Sequence, residues 1–141
     1  MDGSYRVLAH TADTGIEATG HSFEAVVAAT AVGMFATMYE LAAIAPTGEV
    51  ALSVPLVDRL DELLVDSLSE LLFRSEVEDL VFTEVAVSED RMSGELHLVA
   101  AAAPSVELEL RGAPIKAVTY HDLEAVELLP GRWRARVYFD T

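Results

Sequence analysis

The stretch that decides the fold is "SFEAVVAATAVGMFATMYELA", residues 22–42. Ser22 is placed to cap a helix whose first turn carries Glu24, where a negative charge suits the helix dipole. Phe23, Val26, Val27, Met34, Phe35 and Met38 form a broad apolar face, and Gly33 permits close packing. Alanine occupies much of what remains, so both sides of this helix can be covered by protein.

The flanks read mainly as strands. "YRVLA" (5–9) and "GIEATG" (15–20) are short strands on either side of an opening turn. "PTGEVALSVPL" (46–56) begins with turn residues and then alternates, with Val50, Leu52 and Val54 on one side, as a strand ending at Pro55. Asp58 is the expected cap of a second helix in "RLDELLVDSLSELLFRSE" (59–76), where Leu60, Leu63, Leu64, Leu68, Leu71 and Leu72 recur at helical steps. "LVFTEVAVSED" (80–90) runs into "RMSGELHLVAAAA" (91–103) as a hairpin, although the alanine run before Pro104 is featureless. "VELELR" (106–111) alternates strictly and reads as a strand, and "GAP" (112–114) breaks the pattern. "IKAVTYHDLEAVEL" (115–128) and "RWRARVYFD" (132–140), joined by "LPG" (129–131), form a closing strand pair. The pattern predicts one α+β domain over residues 1–141, with a mostly antiparallel or mixed sheet and two helices packed on one face. No glycine-rich phosphate loop is present, so a doubly wound nucleotide-binding fold is not indicated.

Composition excludes several functions. The 141 residues contain no cysteine, which removes disulfides, thiolate chemistry and Cys-based zinc sites and fits a reducing cytoplasm. Neither a signal peptide nor an apolar run of about 18 residues occurs, so a soluble protein away from membranes is expected. The net charge of −15 repels phosphate backbones, and nucleic-acid binding by this chain alone is not expected. That charge suits a basic protein partner or cations, and it also keeps a 52% apolar chain in solution. Lys116 is the single lysine.

Candidate chemistry gathers near the two termini. In "LAHTADTGIEATG" (8–20), Asp13 can hold its own turn as an Asx motif or act as a metal ligand. In the last strand, Trp133, Ala135, Val137 and Phe139 share the packing face, while Arg132, Arg134, Arg136, Tyr138 and Asp140 share the other. Asp140 precedes Thr141, which sets its carboxylate close to the α-carboxylate; a solvated terminus tolerates that pair, and a cation stabilises it. If the first and last strands are neighbours, Asp13, Asp140 and Thr141 make an oxygen-only cluster of the kind Ca²⁺ or Mg²⁺ accepts. His10, His21, His97 and His121 lack zinc-site spacing, and no serine sits in a nucleophile elbow, so a conventional hydrolase is not indicated.

Three segments also carry a resemblance. "HTADTGIEATGHSFEAV" (10–26) resembles the opening and first helix of the archease family, "LVDSLSELLF" (64–73) its leucine-rich second helix, and "IKAVTYHDLEAV" (115–126) with "WRARVYFD" (133–140) its closing strands. The similarity runs over nearly the whole chain. It departs at Thr141, where the family often ends in an aliphatic residue, and at the plain stretch 100–105. The resemblance implies an accessory protein of RtcB-type RNA ligases, one that promotes guanylylation and multiple turnover in tRNA splicing or RNA repair without chemistry of its own. By position it implies Asp13 and Asp140 as metal-binding aspartates, Thr141 as a further oxygen donor, and Lys116 as the lysine needed for activation. The ion expected there is Ca²⁺, with Mg²⁺ or Mn²⁺ as alternatives. Two other readings compete: a free-standing metal-dependent phosphohydrolase using the Asp13 and Asp140 cluster, and an acidic chaperone-like interaction module without a metal.

Overall fold

A computed structural model describes residues 3–9 and 14–141. Along these residues run strands β1 (Ser4–Ala9) and β2 (Thr14–Gly20), helix α1 (Phe23–Met38), β3 (Gly48–Pro55), helix α2 (Leu60–Glu78), then β4 (Leu80–Asp90), β5 (Glu95–Pro104), β6 (Ala117–Val118), β7 (Glu124–Leu129) and β8 (Arg132–Asp140). The fold is α+β, with every strand pair antiparallel. The strands divide into two sheets. One is three-stranded in the order β3-β5-β4; the other has β1-β2-β8, with β6 and β7 both on the far edge of β8.

Helix α1 lies against both sheets. Ser22 is extended and its Oγ accepts from the Ala25 amide at 3.0 Å, so the predicted cap forms. The Phe35 ring meets Phe82 of β4 edge-on at 5.3 Å, while Phe23, at the start of the helix, meets Trp133 of β8 at 6.0 Å. Ala25, Ala28, Ala29 and Ala31 are buried along with the larger residues. Thr30 is buried as well, and its hydroxyl donates to Val26 O, which satisfies the polar atom inside the core. Gly33 is where β1 crosses: a Cβ there would lie 2.8 Å from the Tyr5 ring.

Helix α2 buries Leu63, Leu64, Leu68, Leu71 and Leu72 as its spacing predicts. Its cap differs: Arg59, not Asp58, holds the N-cap position, without a side-chain capping bond. The reason is that Asp61 takes over, accepting the Glu62 amide at 2.7 Å while pairing with Arg59 at 2.8 Å. The predicted β4–β5 hairpin forms, and β5 runs through the alanine stretch to Pro104 as the central strand, with Ala100, Ala102 and Ala103 buried.

Two expected strands are corrected. Residues 106–111 are not a strand: Leu108 turns back to Ser105 O, Arg111 N donates to Met38 O at the end of α1, and Val106 and Leu110 are exposed. The segment runs between β5 of one sheet and β6 of the other without joining either as a strand. The stretch 115–128 is split into β6 and β7, because Thr119 donates from both its amide and its hydroxyl to Tyr138 O, and Asp122 then turns the chain at φ 49°.

Candidate functional site

The site is built on the end of β8. Alternation buries Ala135, Val137 and Phe139 and leaves Asp140 on the exposed face, as the sequence predicts. Thr14, the first residue of β2, pairs with Phe139, so β2 enters the sheet at the same end where β8 leaves it.

Lys116 is delivered there by a clamp on α1. Gly112 passes the helix terminus so closely that a Cβ would sit 2.3 Å from Thr37 O. Three residues later Ile115 is buried, with its amide 3.4 Å from Met38 Sδ. The anchored Ile115 turns its neighbour outward. The Lys116 amide donates to Asp140 O at 2.7 Å, and Ala117 and Val118 continue the pairing along β8 opposite Asp140 and Phe139. Lys116 and Asp140 are therefore joined through the backbone, both exposed, with Thr141 half-buried beside them. The Lys116 ammonium makes no ion pair among the described residues.

Asp13 and His10 lie outside the described residues. Among those described, no group of three histidines, aspartates or glutamates is gathered that could hold a metal. The donors present at this corner are oxygens, the Asp140 carboxylate and the oxygens of Thr141, a set whose chemistry fits a hard divalent cation better than zinc.

Earlier along β8, polar side chains tie that strand to β7. Arg134 and Arg136 both reach Glu124 on β7, at 2.5 and 3.9 Å, and the hydrogen-bonded Glu124 carboxylate raises the Arg134 pKa. Arg136 Nε also donates to Asp122 O. The His121 ring lies 5.8 Å from Tyr138 and its Nε2 is 3.3 Å from Asp122. On the other sheet, His97 bridges Ser53 at 2.7 Å and Asp90 at 3.3 Å, a structural role. Sequence reasoning missed Thr119, whose two hydrogen bonds donated to Tyr138 O end β6; a threonine just past a short alternating run is too common a pattern to single out.

A small α+β domain of two antiparallel sheets around a buried helix, with a lysine and an aspartate brought together at the end of its last strand, defines a recognisable class. The chain matches the model of the Archease protein family (MTH1598/TM1083) over residues 5–141, and it belongs to that family. It is 36% identical to the protein archease of Methanosarcina barkeri over 141 residues, covering 96% of this chain and 94% of that one. It is 34% identical to the protein archease of Thermococcus gammatolerans over 130 residues, covering 90% and 91%. Its structure resembles the solution structure of Methanobacterium thermoautotrophicum protein 1598 with a TM-score of 0.81, at 31% identity and coverage of 98% and 99%. No helix among the described residues is long and apolar enough to cross a membrane.

Proposed function

We propose that this chain is a cytoplasmic activator of an RtcB-type RNA ligase, promoting its guanylylation and repeated turnover in tRNA splicing or RNA repair, with no reaction of its own. The observation that carries this reading is the backbone bond from Lys116 to Asp140, which holds the one lysine at the end of β8. Asp140 and the oxygens of Thr141, with Asp13, which lies just before Thr14 in the sequence, are the residues proposed to hold a divalent ion, Ca²⁺ first and Mg²⁺ or Mn²⁺ as alternatives. When bound, such an ion supplies positive charge that lets acidic groups from both termini share one corner. Lys116 then presents its ammonium beside that corner, on an exposed surface, where it can orient a phosphate of the ligase's nucleotide. The net charge of −15 supports a basic protein as partner, and makes contact with RNA through the ligase rather than directly.

The test is a multiple-turnover ligation assay with a purified RtcB-type ligase held well below the RNA concentration. With the chain present the ligase is expected to turn over repeatedly, and with Lys116→Ala the stimulation is expected to disappear while the variant stays folded. A ligase indifferent to the wild-type chain overturns the proposal. Full stimulation by Lys116→Ala, Asp13→Ala and Asp140→Ala would leave only the interaction-module reading, and turnover of a phosphate ester by the chain alone, lost in Asp13→Ala, would favour the hydrolase.

A further inference from the structure

Helix α2 carries two apolar side chains that its leucine stripe does not use. Phe73 and Val77, one turn apart on the same side, are 57% and 62% exposed. A lone exposed apolar residue needs no explanation. These two differ because Phe73 borders a cavity of about 260 Å³, and the opposite wall of that cavity is Lys116, Ala117 and Val118. The apolar surface of α2 is thus continuous with the corner where Lys116 meets Asp140.

Charge narrows the occupant. The end of α2 holds Glu76 and Glu78 and is followed by Asp79, with no basic residue in its last turn. Negative side chains at the negative end of a helix dipole are locally unfavourable. Arg74 offsets one of them by pairing with Glu78, whereas Glu76 faces the cavity. A second copy of a chain with net charge −15 would bring like charge to this surface. A protein that handles RNA presents the opposite: a positive surface that meets phosphates.

We propose that Phe73, Val77 and the cavity beside Lys116 form the surface on which the RNA ligase docks, receiving an apolar side chain of the ligase between basic residues that meet Glu76 and the helix end. This rests on the function proposed above, and it adds a division of labour. The α2 surface supplies affinity, and Lys116 supplies activation.

The two roles separate in one experiment. Affinity of the full chain for the purified ligase is measured by calorimetry for wild type, Phe73→Asp, Val77→Asp, Lys116→Ala and Met92→Asp, alongside ligation turnover as a function of chain concentration. Phe73→Asp and Val77→Asp should each weaken binding about tenfold or more. Their maximal stimulation should return at saturating chain, and Mn²⁺ binding by the isolated variants should equal that of wild type. Lys116→Ala should bind nearly as wild type and fail to stimulate. Met92→Asp, on the β4–β5 turn and 98% exposed, should change neither. The substituted α2 positions face solvent, so thermal unfolding should change only by the small cost of an added negative charge near the C-terminal end of the helix, and the uncharged Phe73→Ser and Val77→Ser serve if the aspartates perturb it. Wild-type affinity in both α2 variants overturns the docking surface while leaving the proposed function standing. A wild-type chain that neither binds nor stimulates the ligase overturns both.

Discussion

The two sheets are made of the same alternating strands and cover the same helix, yet they close in opposite ways. The three-stranded sheet is contiguous in sequence apart from α2: β4 turns directly into β5, and β3 joins the free edge of β5. The five-stranded sheet is closed across the whole chain, with β2 near the start and β8 near the finish paired from Thr14–Phe139 to Gly20–Trp133. Pairing of that kind forms only after a large loop has closed, so it depends on global folding in a way a hairpin does not. Lys116 and Asp140 are brought together only in the second sheet. Both sheets bury core side chains and contribute stability, and the proposed site belongs to one of them.

The hardest test removes one buried ring from each. Phe139 and Phe82 are both fully buried, in β8 and β4 respectively. Each change to alanine should cost about 3–5 kcal/mol, read as the loss in denaturant unfolding. Their functional consequences should diverge. Phe139 pairs with Thr14 and Val118 and precedes Asp140, so Phe139→Ala should impair ligase stimulation even at temperatures where the protein is folded. Phe82→Ala should stimulate normally under the same conditions. Equal loss in both would show that the two sheets do not divide their roles.

An intermediate effect is expected where β1 meets α1. In Gly33→Ala the new methyl must displace the Tyr5 ring, which lies 2.8 Å from its position, and overpacking of this kind costs about 1–3 kcal/mol. Tyr5 is partly exposed and can swing outward, which favours the lower end of that range. The strain should surface as faster amide exchange in β1 and β2, with β4 and β5 unchanged. Acceleration spread evenly over both sheets would mean that α1 couples them as one rigid unit.

The same contrast governs what could be read from the residues alone. The β4–β5 hairpin and both helices were legible because alternation, turn residues and leucine spacing are local signals. So was the double coverage of α1, since alanine between large apolar residues leaves no face for water. The segment 106–111 misled because alternation specifies a face and says nothing about a partner edge; of its apolar residues, only Leu108 packs against the core. Division of the strands into two sheets was invisible for the same reason. At the site, the polar face of β8 was legible, and the backbone link from Lys116 to Asp140 was not, because the register between distant segments is decided by Ile115 and Gly112 seating against α1.

The smallest effect belongs to the turn of the three-stranded sheet. Asp90 Oδ1 accepts the amides of Met92 at 3.0 Å and Ser93 at 3.2 Å, and Oδ2 lies 3.3 Å from His97 Nε2. Hydrogen bonds from Ser93, and then His97, hold the Asp90 carboxyl below its ordinary 3.8. A carboxyl depressed in the folded state contributes stability that is present above 3.8 and lost as the pH falls through the folded value. Asp90→Asn should therefore show a small deficit in Tm at neutral pH that closes on acidification below about pH 4. Because His97 also bonds Ser53 on β3, the accompanying chemical-shift changes should spread across β3 and the 91–94 turn and stop short of β2 and β8. A deficit that persists in acid would assign the effect to lost packing rather than charge, and shifts reaching β8 would tie the local sheet to the five-stranded one more closely than its connectivity implies.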